Sequence, residues 1–133
     1  MVIDRSALMA ILLAEPSAFA VARAIDASPR RLLSAATLLE TSIVIEARKG
    51  AEGGYALDRL LFRASVDIVP VDANQAEIAR VAWRRYGKGR HPAGLNYGDC
   101  FAYALAKQSG LPLLFRGADF SQTDIGVVPV EAA

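Results

Sequence analysis

The sequence has one cysteine and one histidine in 133 residues, and its formal net charge is only +1. A lone thiol, Cys100, excludes an internal disulfide and fits a reducing compartment. Together with the single His91 it leaves no histidine or thiolate set for a metal. The near-zero net charge excludes wholesale coating of nucleic acid. No apolar stretch is long enough to span a membrane. The apolar run Ala7 to Ala14 follows Asp4 and Arg5 and is ended by Glu15 and Pro16, so it does not read as a signal peptide. A cytoplasmic protein is expected. Repeats, linkers and low-complexity segments are also lacking.

What is present is an apolar chain, 53% hydrophobic and 22% charged, of a length that suits one domain over residues 1–133 with a buried core. Its charge is uneven. From Arg80 to His91 there are five cations (Arg80, Arg84, Arg85, Lys88, Arg90) and no acid, which leaves ten of the fifteen Lys and Arg against fourteen acids elsewhere.

Hydrophobic periodicity and cap signals give the element order. Val2-Ile3 reads as a strand, followed by helices over Ala7 to Ala14 and Ser17 to Ala27. The first of these has no polar face and must be buried in the core or against a partner subunit. Arg31 to Leu33 is a second strand, and Ser34 caps a helix from Ala35 to Lys49 that Gly50 stops. Gly53-Gly54 marks a turn before a helix over Tyr55 to Arg63, and Val66 to Val71 alternates as a strand. An amphipathic helix over Ala73 to Tyr86, a loop from Lys88 to Leu95, a helix capped by Asn96 and ending at Ser109, and a strand over Leu113 to Phe115 follow. Gly126 to Val130 is a candidate edge strand. Strands separated by helices predict a three-layer α/β/α domain with a mainly parallel sheet of four to five strands.

In such a sheet, ligands bind beyond the carboxyl ends of the strands. Asp4 directly follows the first strand and Asp119 follows the Leu113 strand. Glu40 and Asp99 lie in early turns of helices whose N-termini come to the same edge. Four carboxylates therefore converge, with Asp124 as a possible fifth and Ser6 beside the first. Like charges held together repel, and a divalent cation relieves the conflict. All-oxygen donors suit Mg²⁺ or Mn²⁺, and the matching chemistry is phosphodiester hydrolysis.

Each acid also has an ordinary structural reading. Asp4 and Ser6 suit a helix cap, Thr37-x-x-Glu40 matches a capping box, Asn96-x-x-Asp99 approximates one, and Asp119 suits a turn after Gly117. Four such coincidences on one edge, one of them beside the apolar run from Cys100 to Leu105, weigh toward a metal site. The basic segment divides evenly between a solvated helix end and an RNA-binding surface. In the second reading Arg84, Arg85, Lys88 and Arg90 neutralise phosphates, and Tyr86 or Tyr97 stacks on unpaired bases. His91 reads as incidental and Cys100 as packed.

These residues resemble a PIN domain, and within that family the VapC group of toxin ribonucleases. The resemblance covers essentially the whole chain. It rests on Val2-Ile3-Asp4-Arg5-Ser6-Ala7-Leu8, Ser34-Ala35-Ala36-Thr37-Leu38-Leu39-Glu40, Gly87-Lys88-Gly89-Arg90-His91, Leu95-Asn96-Tyr97-Gly98-Asp99-Cys100 and Leu113-Leu114-Phe115-Arg116-Gly117-Ala118-Asp119-Phe120. It implies a metal-dependent endoribonuclease in which Asp4, Glu40, Asp99 and Asp119 hold Mg²⁺ or Mn²⁺ with Ser6 in support. It further implies a homodimer, a VapB-like antitoxin, and an RNA substrate such as a tRNA. Relatives often carry Thr or Ser where Arg5 stands, and a second polar or acidic residue where Ala118 stands. The alternative is a catalytically silent PIN-like module that binds RNA or an antitoxin. A receiver domain is disfavoured because paired acids and a late strand-end lysine are lacking, and a haloacid-dehalogenase-like phosphatase because Ser6 replaces its second Asp.

Overall fold

The computed structural model describes residues 1–130; the last three residues of the expected 1–133 unit lie outside the described residues. At its centre is β1 (Val2–Ile3), paired in parallel with β2 (Leu32–Ser34) on one side and β4 (Leu113–Leu114) on the other. Beyond β2 lies β3 (Asp67–Val69), also parallel, which completes the order β3-β2-β1-β4. The four strands match the expected parallel sheet. Because side chains alternate across a strand, Val2, Leu32 and Leu113 face one side and Ile3, Leu33 and Leu114 the other. Two cores result, one on each face.

The first face is covered by α4 (Ala73–Tyr86) and α5 (Tyr97–Ser109), through Ala82, Tyr86, Ala102, Tyr103, Leu105 and Ala106. The second is covered by α1 (Arg5–Leu12), α2 (Ala18–Ala27) and α3 (Ala35–Arg63), through Leu8, Val21, Ile25, Ile45 and Leu57. This is the expected α/β/α sandwich. Ala7, Leu8, Met9 and Ala10 of α1 are all buried in it, as an apolar helix requires.

Several boundaries moved for identifiable reasons. Helix α1 starts two residues before Ala7 because Asp4, and not Ser6, is its N-cap; the chain leaves the helix before Ala14, which takes a φ of 51°. Gly50 (φ 65°, ψ −160°) breaks α3 as expected, but Gly53 and Gly54 do not form a turn. They lie inside the helical continuation, where a Cβ on Gly53 would stand 2.8 Å from the Ile45 carbonyl oxygen. The absence of a side chain there serves close packing across the kink. The capping box at Thr37-Glu40 does not form, since Ser34 already caps α3 by accepting from Ala36 N at 3.3 Å.

Strand β3 spans three residues of the expected six. It is the exposed edge of the sheet, where outward charge such as Asp67 discourages further pairing. Instead of an edge strand over Gly126 to Val130, the chain makes a single parallel bridge from Val127 to Leu113. Two hydrogen bonds flank it, from Leu113 N to Gly126 O (2.8 Å) and from Val128 N to Leu113 O (3.0 Å). No helix among the described residues is long and apolar enough to cross a membrane.

Candidate active site

The sheet delivers its acids to one rim. Asp4 leaves β1, which is flanked by a strand on each side, and is only 5% exposed. Its Oδ2 accepts hydrogen bonds from Ser6 N (3.0 Å) and Ser6 Oγ (2.6 Å). The Ser6 hydroxyl in turn accepts from Arg116 N at 2.9 Å, so it ties the end of β1 to the segment leaving β4. Ser6 thus holds the Asp4 carboxylate by two hydrogen bonds, and Asp4 is at once helix cap and strand-end carboxylate. Burial pushes the Asp4 carboxyl up, with the two Ser6 hydrogen bonds and Arg5 opposing.

Asp99 is the third residue of α5 and completes a capping box. It accepts from Asn96 N through Oδ2 (3.0 Å), and Asn96 Oδ1 accepts from Asp99 N (2.9 Å). The expected cap at Asn96 and Asp99 therefore forms. Burial is the main cause that pushes the Asp99 carboxyl up to about 6, and the nearby charges of Asp4, Asp119 and Glu40 add to it against the opposing Asn96 bond. The other three expected acids thus all lie within electrostatic reach of Asp99.

Glu40 projects from the second turn of α3. Burial, and the negative charge of Asp4, raise its carboxyl, while Arg5 opposes them. Its Oε1 lies 3.5 Å from Arg5 Nε. Its Oε2 lies against the backbone of α5 at Gly98, where an added Cβ would stand only 2.2 Å away. Asp119, exposed after the Gly117 turn (φ 100°), makes no side-chain cap bond to the following 3-10 turn, Phe120–Gln122.

Asp124 is directed elsewhere. It accepts from Tyr103 OH and from Lys107 Nζ (2.8 Å), with Arg85 Nη1 at 3.8 Å, and these partners hold its carboxyl low despite partial burial. It does not enter the set of charges that act on Asp99.

The basic segment is split. Trp83 and Arg85 are two residues apart on α4, about 200° around the helix. Arg85 lies over the Tyr86 ring at 4.9 Å and turns to Asp124; Arg90 stacks over Trp83 at 4.3 Å. Arg84 and Lys88 are exposed. Tyr86 is 5% exposed and cannot stack on a base, a correction to one expectation, whereas Tyr97 is 81% exposed beside the Asp99 turn. His91 has a local role: its Nδ1 accepts from Ala93 N at 3.0 Å and its ring meets the Tyr86 ring edge-on. Cys100 is packed, with burial first and Asp99 second raising its thiol to about 11.

Sequence reasoning missed Gly98, the Arg5 contact and Trp83. Gly98 had a usable signal, since glycine in the first turn of a helix is unfavourable unless close approach demands it. Among the described residues no three acid, histidine or cysteine side chains already enclose one point where an ion would sit. Even so, the donor chemistry fits a hard divalent cation: carboxylate oxygens only, mutually repelling, with a side-chain-free cradle at Gly98 beside Glu40.

The family model for the PIN domain matches residues 1–126, and the chain belongs to that family. It is 61% identical over 128 residues to "Ribonuclease VapC" of Mycolicibacterium smegmatis, covering 96% of this chain and 99% of the relative. It is 60% identical over 128 residues to "Ribonuclease VapC30" of Mycobacterium tuberculosis, covering 96% and 98%. These relatives set the chain among the VapC ribonucleases, the group its sequence resembles. The crystal structure of Mycobacterium tuberculosis VapC20 shares the fold, with a TM-score of 0.77 at 20% identity over 96% of this chain and 98% of that one.

Proposed function

We propose that this chain is a divalent-metal-dependent endoribonuclease that acts as the toxin of a VapBC-type pair in the cytoplasm. The observation that carries the reading is that Asp4, Glu40 and Asp119, from three other parts of the chain, lie close enough for their charges to act on Asp99. These four carboxylates would hold Mg²⁺ or Mn²⁺. Such an ion supplies positive charge that polarises a phosphodiester and eases loss of a proton from water.

The remaining roles fall to the protein. Ser6 fixes the Asp4 carboxylate and, through Arg116 N, the distance between two strand ends. The Asn96 backbone fixes Asp99 through its Oδ2. Exposed Tyr97 offers a stacking surface for an unpaired base, and Arg84, Lys88 and the Trp83-backed Arg90 offer phosphate contacts. Single-stranded loops of structured RNA such as tRNA suit that combination. Membership of the VapC group supports a VapB-like antitoxin as partner. A homodimer is part of the reading, and exposed Leu39 and Ile43, one turn apart on α3, supply apolar surface for it.

The test is cleavage of a labelled single-stranded RNA by purified, antitoxin-free protein with Mg²⁺, with Mn²⁺ and with chelator. Cleavage that needs the ion and is lost in Asp4→Asn is expected. Binding of RNA without cleavage under any divalent ion would instead indicate a silent binding module.

A further inference from the structure

Arg5 stands where its own helix disfavours it. It is the first residue of α1, and the positive end of a helix dipole repels a cation. What compensates is Glu40, whose Oε1 lies 3.5 Å from Arg5 Nε, with both side chains about one-third exposed (34% and 35%). Among the described residues this is the one ion pair made by any of the four rim acids. The contact engages Oε1, while Oε2 is the Glu40 oxygen nearest Gly98.

We propose that Arg5 is a resident counter-cation that competes with the divalent ion for Glu40, so that metal uptake requires the Arg5–Glu40 contact to open. The inference rests on the metal-site reading above. In the metal-free protein a guanidinium relieves part of the repulsion among the acids, and one Glu40 oxygen is engaged by it. A divalent ion must displace that charge before Glu40 can serve as a ligand, so affinity is lower than the acid set alone would give. The displaced guanidinium stays tethered at the rim. It is then able to meet an anionic oxygen of the RNA backbone.

Calorimetric titration of the full, antitoxin-free chain with Mn²⁺ tests this. Arg5→Gln should tighten Mn²⁺ binding about twofold to fivefold, the range an exposed ion pair supports. The same variant should melt at a lower temperature than wild type without metal and gain more on adding Mn²⁺. Arg5→Lys, which keeps the charge, should stay near wild type. In a Glu40→Gln background the Arg5→Gln change should have no further effect on affinity, since the two residues act as a coupled pair. Unchanged or weaker binding in Arg5→Gln at wild-type stoichiometry would overturn the role of Arg5 and leave the metal site standing. No Mn²⁺ uptake by wild type, or wild-type uptake by Asp99→Asn, would overturn the metal site and this proposal with it.

Discussion

Replacing Gly98 with Ala should separate activity from stability. An added Cβ would stand 2.2 Å from Glu40 Oε2 and 2.7 Å from its Cδ and Oε1, far inside van der Waals contact, so something must move. The obstructing atoms are the far end of a flexible, one-third-exposed side chain, so Glu40 can swing aside without disturbing the backbone. Ala is moreover the better helix former, by up to ~1 kcal/mol. Those two effects roughly offset, and the melting temperature should change by no more than a few degrees. The Glu40 carboxylate, however, is displaced by an ångström or more from the rim. A misplacement of about 1 Å at a reacting centre costs on the order of 100-fold in rate. Thermal melts and initial rates of RNA cleavage with Mn²⁺, measured on Gly98→Ala beside wild type, give both quantities. A variant that folds normally and cleaves at the wild-type rate would refute the placement of Glu40 at the reacting centre.

Further expectations follow from the charges. The folded chain binds the Asp99 proton more tightly than the unfolded chain, so ionising Asp99 costs stability as pH rises from its ordinary 3.8 through about 6. Metal-free Asp99→Asn, which keeps a cap acceptor, should therefore be more stable than wild type at pH 7 by ~1 kcal/mol after solvent screening, an advantage that fades below pH 4; urea titrations across pH check it. Asp124→Asn should lower stability by about 0.5 to 1 kcal/mol through loss of the Lys107 contact, while RNA cleavage stays within about threefold of wild type. That stabilising contribution should itself diminish as pH falls toward the lowered Asp124 value, because its partners favour the charged form. The paired change Arg84→Ala and Lys88→Ala should weaken RNA binding and reduce the slope of log affinity against log salt by about 0.7 per lost phosphate contact, as read by fluorescence anisotropy.

How far the sequence foretold this structure differs by element. The central strands were legible because Val2-Ile3, Leu32-Leu33 and Leu113-Leu114 are short apolar runs between clear cap residues. Both α4 and α5 were read nearly to the residue, since α4 is amphipathic and ended by Gly87, and α5 is capped by Asn96 and ended by Gly110. The second half of α3 was misread because Gly53-Gly54 has the local signature of a turn, while the reason for these glycines is a contact with Ile45 and Glu46 across the kink. Long-range approach of that kind leaves no trace in a local window.

At the site, strand order alone brought Asp4, Asp99, Glu40 and Asp119 to one rim, which is why four acids distant in the chain could be named together. The cap readings at Asp4 and Asp99 do not compete with a place at the rim, because each carboxylate caps its helix through Oδ2. Asp124 was harder. Its partners Tyr103 and Lys107 lie one turn apart on α5, and nothing in its own neighbourhood of the sequence announces them. The cations were grouped by sequence proximity, yet helix geometry sends Arg85 and the Trp83–Arg90 pair to different sides.

Diffraction from crystals soaked in Mn²⁺, recorded where manganese scatters anomalously, addresses the central claim most directly. The account predicts an anomalous peak at about 2.0 to 2.4 Å from carboxylate oxygens of Asp4 and Asp99, with Glu40 swung off Arg5 toward it. A well-ordered rim with no peak there at saturating Mn²⁺, in protein that still cleaves RNA, would contradict it.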